Sequence, residues 1–186
     1  MTMLTRSLLR FARDNRGVIG AETVIVLSLM IWVYIATIVY FSAFRMQNTN
    51  LKAAYTVADM LSRQTIELDA DYLDGMKKVF DYLNHGNEQS WIRVTSFQLN
   101  IDGDAHEVLW SYATGSHALQ TNSSIASDFD RIPVMAQGDT AILVETFVDY
   151  VPLVEVAGVG SMQFQNFIVT RARFAPRIDF DDGSTS

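Results

Sequence analysis

From Thr23 to Phe44 the chain reads TVIVLSLMIWVYIATIVYFSAF, 22 residues without a charge or a proline. At about 1.5 Å per residue this run makes a helix about 33 Å long, enough to cross a hydrocarbon layer of about 30 Å. Apolar residues occupy every side of it, so it reads as a transmembrane helix and not as the one-sided helix of a soluble core. Past Phe44 the pattern becomes one-sided. Leu51, Ala54, Tyr55, Ala58, Leu61 and Thr65 recur at three- and four-residue intervals, with Gln47, Lys52, Asp59 and Arg63 between them. No glycine or proline interrupts residues 21–66, which predicts one long helix that leaves the membrane and turns amphipathic.

A second, short helix is expected from Asp69 or Asp71 to about Leu83. Its acidic start suits a helix N-terminus, and Leu73, Met76, Val79, Phe80 and Leu83 share a face. Asn84-His85-Gly86-Asn87 ends it. Alternation over Trp91–Ile101 and Glu107–Ala113, with Asp102-Gly103-Asp104-Ala105 between, predicts a β-hairpin. Residues 114–139 lack a sustained period and read as a long loop with a short helical turn. Thr140–Val151 and Met162–Phe174 read as two longer strands joined through Pro152 and the small residues 157–161. The fold class is therefore α+β, a four-stranded antiparallel sheet packed on the long helix. The boundaries are a cytoplasmic basic leader over 1–17, a transmembrane helix over 18–44, a periplasmic α+β domain over 45–178 and a disordered acidic tail over 179–186.

Length limits the chain to one modest domain and an anchor: 186 residues leave no room for a second core. The positive mean hydropathy of +0.12 is concentrated in the apolar run. Charge sets the orientation. Arg6, Arg10, Arg13 and Arg16 precede the span against one Asp14, whereas only Arg45 and Lys52 follow it closely, so the N-terminus is expected in the cytoplasm. In the leader, Leu4, Leu8, Leu9 and Phe11 face away from the arginines, as in a segment lying on the membrane surface. The apolar run is too long for an ordinary secretory signal and no small-x-small cleavage site follows it, so it is expected to stay in the mature protein. With four arginines, Asp14 and Glu22 set aside, residues 45–186 hold ten basic and nineteen acidic residues, net −9. That balance argues against nucleic acid as a partner. Cysteine is absent, which excludes a disulfide framework and thiolate chemistry.

Candidate chemistry is sparse. His85, His106 and His117 have no metal-binding spacing and read as solvated loop residues. Asp69, Asp71 and Asp74 fit helix capping better than a calcium loop, because Leu73 occupies a required ligand position. Asp102 and Asp104 fit a turn better than a cation site. Nucleophile elbows, P-loops and dinucleotide fingerprints are missing from the sequence, so no catalytic residue, metal, cofactor or small-molecule substrate is expected. Arg171 and Arg173 mark either a partner surface or, as the commoner case, a sheet face paired with Glu145 or Asp149. Trp91, Trp110, Phe147, Phe164 and Phe167 read as core residues covering the helix.

One charge stands at the head of the span: Glu22, in Arg16-Gly17-Val18-Ile19-Gly20-Ala21-Glu22. It either snorkels to the cytoplasmic interface or meets a specific partner. A basic leader ending in Gly, a Glu at the fifth place beyond it and about twenty apolar residues resemble the processing signal of type IV pilins and pseudopilins. The whole arrangement, with Arg16-Gly17, Ala21-Glu22, the span and the late segments 145–153 and 171–177, resembles the TadE/TadG-like proteins of the tight-adherence (Tad) pilus. That resemblance implies cleavage by a prepilin peptidase between Gly17 and Val18. It further implies a Glu22 carboxylate one helical turn from the new amine, at the depth of a neighbouring subunit's amine. The expected partners are the lipid bilayer, other pilus or pseudopilin subunits and the Tad assembly machinery. The expected role is a minor pilin or pseudopilin of the inner membrane, acting by helix packing; the alternative is a membrane-tethered periplasmic ligand-binding or sensor domain that uses loop 114–139.

Overall fold

The computed structural model describes residues 16–85, 90–100, 102, 105–115, 117–152, 154–155 and 158–181, with the side chains of 16–18 excepted. Helix α1 runs unbroken over Arg16–Ser62, 47 residues or about 70 Å. Within its second half the buried stripe is Ala53, Ala54, Val57, Ala58 and Leu61, while Leu51 and Tyr55 are exposed. The stripe is thus rotated from the expected one. Alanines at 53, 54 and 58 let a sheet approach the helix closely, and the larger side chains are left outside. The helix also ends earlier than Thr65: Arg63 and Gln64 donate their backbone N–H groups to Met60 and Leu61 three residues back, a tightening typical of a last turn. The freed Ser62 carbonyl accepts the backbone N–H of Arg173 at 2.8 Å, so a distant segment caps α1.

After a short strand β1 (Leu68–Asp69), helix α2 spans Ala70–Leu83. Asp69 is its N-cap and accepts the Tyr72 N–H at 2.7 Å, as the acidic start predicted. Leu73, Met76 and Phe80 are buried against α1 and the sheet. The sheet comprises β2 (Ser90–Leu99), β3 (His106–Ala113), β4 (Thr140–Tyr150) and β5 (Met162–Thr170), all antiparallel, in the order β3-β2-β4-β5. The hairpin is as expected; of its turn, Asp102 is described and Gly103 and Asp104 lie outside the described residues. Strand β5 stops four residues short of Phe174, because the chain there turns to cap α1.

Both faces of the sheet are covered, which the expected two-layer arrangement did not include. On one face Ile92, Val94, Ile142, Val144, Val148 and Ile168 pack on α1 and α2. On the other, Phe97, Leu99, Ala141 and Leu143 pack under Ile125, Ile132 and Met135. Those three come from the segment read as a loop, which holds helix α3 (Asn122–Ser127), with a Thr121/Ser124 capping box, and a single 3₁₀ turn over Phe129–Arg131. The five aromatics divide accordingly. Trp110 packs in the helix-side core and Phe164 against Tyr150, whereas Phe167 belongs to the second core. Trp91 and Phe147 lie on that same outer face by strand alternation.

The tail begins ordered. Phe180–Asp181 forms β6, pairing in parallel with β1. Phe180 stacks on Trp110 at 5.2 Å, and the Trp110 indole donates to the Ile178 carbonyl at 2.8 Å. The apolar Ile178 and Phe180 finish the helix-side core, which outweighs the acidic composition around them; residues 182–186 lie outside the described ones.

Candidate functional site

The first half of α1 is bare. From Ile19 to Phe44 nearly all large apolar side chains are exposed, with Ala36 and Val39 buried. One helix here is long and apolar enough to cross a membrane. Three of its hydroxyls are satisfied within the helix: Thr23, Ser28 and Thr37 donate to the carbonyls of Ile19, Val24 and Val33 at 2.7–2.8 Å. That is the arrangement a helix needs where no water is available to take the bond.

Gly17, Val18 and Glu22 all fall on the first two turns of α1. Glu22 is four residues past Val18, about 6 Å along the helix axis. It is exposed and borders a shallow groove with Ile19, Thr23, Val26, Leu27 and Met30. A lone carboxylate in that apolar surround can accept hydrogen bonds or pair with a cation.

The outer sheet face carries a second constellation. Cross-strand neighbours Trp91 and Phe147 stack at 3.6 Å, and His117 stacks on Trp91 at 4.0 Å. Next along the same face, Arg93 and Glu145 are also cross-strand partners. The guanidinium donates to both carboxylate oxygens at 2.7 and 2.8 Å and to the Ala118 carbonyl at 3.0 Å. Glu145 is 1% exposed, and the guanidinium carbon sits 5.9 Å and 5.7 Å from the Trp91 and Phe147 rings. This bidentate pair, satisfied and walled by aromatics, is built to stay closed. A groove of about 630 Å³ lies at the end of the ring stack, lined by residues that include Trp91, His117, Asp149, Tyr150 and Met162.

The pairings expected for Arg171 and Arg173 are of the right kind with other partners. Arg171 pairs with Asp139 at 2.9 Å and Arg173 with Asp59 at 3.0 Å, since Glu145 is already taken by Arg93 and both arginines lie past the end of β5. Asp74 accepts the Tyr112 hydroxyl at 3.0 Å. Among the described residues no group of three or more His, Asp or Glu side chains is placed to hold a metal.

His106 is not a solvated loop residue. It begins β3 buried between Phe97 and Phe129, and its Nδ1 has no partner among the described residues. Desolvation lowers its pKa from the ordinary imidazole value of 6.5. A base whose pKa falls on folding binds its proton more readily in the unfolded chain. Its contribution to stability is therefore complete above about pH 6.5 and is lost as the pH falls below that. His106→Phe is expected to flatten the fall in urea midpoint between pH 7.5 and pH 5; an unchanged fall would show that His106 is not responsible.

The Arg93–Glu145 pair was missed from sequence. Its signal was a single Arg in one central strand and a single Glu in the other. Comparison with protein-family models, with curated proteins and with solved structures gave no match for this chain.

Proposed function

We propose that this chain is a minor pilin- or pseudopilin-like component of a Tad-type pilus, set in the bacterial inner membrane with its N-terminus in the cytoplasm and its α+β domain in the periplasm. The carrying observation is Glu22, the one charge in a lipid-length helix whose surface is otherwise apolar and bare around it. A carboxylate there is costly without a partner, and the bare helix offers other subunits a packing surface and no reaction centre. After cleavage between Gly17 and Val18 by a prepilin peptidase, the Val18 amine of one subunit and Glu22 of the next supply opposite charges at one depth. Such a pair sets register in a helical bundle.

N-terminal sequencing of the membrane-extracted protein tests the processed form; a chain beginning at Met1 in cells with an active peptidase refutes it. Glu22→Ala is expected to lower surface pili by more than about tenfold, the effect of losing roughly 1.4 kcal/mol or more at a subunit contact, with the membrane level of the protein unchanged. Wild-type piliation in that variant would remove Glu22 from assembly.

The groove beside Trp91 and His117 favours a second reading, a tethered ligand-binding or sensor domain. Loop 114–139 supplies His117 to that groove, but its apolar residues Ile125, Ile132 and Met135 are committed to the second core.

A further inference from the structure

The folded domain grips α1 inside the apolar run. Val39, five residues before Phe44, is buried by Tyr150 and Val159, and the Tyr150 hydroxyl donates to the Val39 carbonyl at 3.4 Å. One turn earlier Ala36 is buried as well, and one turn later Ala43 packs on the same cluster with Phe164. Were the whole run Thr23–Phe44 immersed in hydrocarbon, the end of β4 and the start of β5 would be drawn about 7.5 Å below its surface, because that is the rise from Val39 to Phe44.

The same end of the sheet shows an apolar surface to its surroundings. Val151 is 66% and Val154 52% exposed, and Met162 is exposed too. The connecting sequence 151–160, VPLVEVAGVG, has one charge, Glu155. This end of the sheet joins the apolar run through Tyr150, which pairs with Met162 and packs on Val39; exposed residues such as Val134 and Phe174 have no such link to the run. Glu155 and Asp149 limit its depth: a carboxylate is tolerated in the headgroup layer and is expensive at the bilayer centre. Trp91, which lines the adjoining groove, is a residue type that favours that layer.

We propose that the membrane-proximal end of the sheet, carried by Val151, Val154 and Met162, seats in the outer headgroup layer of the bilayer that α1 spans. The proposal rests on the spanning reading of α1. It moves the hydrocarbon-embedded stretch toward the N-terminus, to about Ile19–Ile38, twenty residues and about 30 Å. Glu22 then lies one turn inside the cytoplasmic boundary, deeper than at the head of a Thr23–Phe44 span, so that a partner is worth more to it.

The chain has no cysteine, so single-cysteine variants of the full chain can carry an environment-sensitive fluorophore in phosphatidylcholine–phosphatidylglycerol vesicles, with nitroxide lipids quenching at shallow or deep positions. Val154→Cys and Met162→Cys are expected to be quenched most strongly by the shallow nitroxide, Leu29→Cys by the deep one and Val134→Cys by neither. Two positions are used at the seat so that one badly tolerated label does not decide the result. Quenching at Leu29 with none at Val154 and Met162 overturns the seating and leaves the span intact. No quenching at Leu29 overturns both. Protection of Val154 from an aqueous quencher without lipid quenching means that protein covers this end, and it also overturns the proposal.

Discussion

Replacing Arg93 with alanine is expected to destabilise the domain by about 3–5 kcal/mol, the usual cost of leaving one member of a buried ion pair without its partner. Glu145 is enclosed in the sheet; what remains to it is a long contact of 3.5 Å from the Gln165 side-chain amide. Since small domains hold together by only about 5–15 kcal/mol, Arg93→Ala should lower the urea midpoint of the full chain in mild detergent sharply, followed by the fluorescence of Trp91 and Trp110. Joint replacement, Arg93→Met with Glu145→Leu, is expected to recover most of the loss, because it removes both charges and their desolvation together. If the double variant were as unstable as the single one, the aromatic packing around the guanidinium would be the source of stability in place of the charge pairing.

The second large effect belongs to Phe80. It is fully buried where α2 meets α1 and the sheet, and Phe80→Ala removes a whole ring from a site whose walls are three different elements. Truncations of this kind cost about 3–5 kcal/mol. Equilibrium urea unfolding should show a midpoint shift comparable to that of Arg93→Ala. A shift under about 1 kcal/mol would mean that α2 moves inward to fill the space.

How far these features could be read beforehand depends on the range of the interactions involved. The long helix, its lack of a break, the Asp69 cap and the four strands follow from local periodicity and capping, and each is where the pattern put it to within a few residues. The rotated stripe on α1 is different. Leu51 and Tyr55 are more apolar than Ala53, yet the face chosen is the one narrow enough for a sheet to reach, which depends on the partner element. The second cover was not expected: Ile142-Leu143-Val144 are apolar in succession, a pattern that fits a strand covered on both faces, but the cover, Ile125, Ile132 and Met135, sits in a segment with no period to reveal it. Arg171 and Arg173 were given acidic partners correctly in kind, but which acid is free depends on strand register, and register places Glu145 opposite Arg93. The candidate assembly residues Gly17, Val18 and Glu22 come from the resemblance; the structure puts them on the first two turns of α1 and adds the bare helix around Glu22.

The segment that caps α1 and pairs with β1 has a consequence for the order of events during synthesis. Leu68 and Phe180 are register partners, yet more than a hundred residues separate them, so at about 5–20 residues per second the second arrives several seconds to about twenty seconds after the first. The Ser62 carbonyl waits uncapped until Arg173 is made, and the Trp110 ring, once made, waits for Phe180. Synthesis of α1 and closure of the domain are thereby separated in time, and the C-terminal segment closes around a helix that was made long before it.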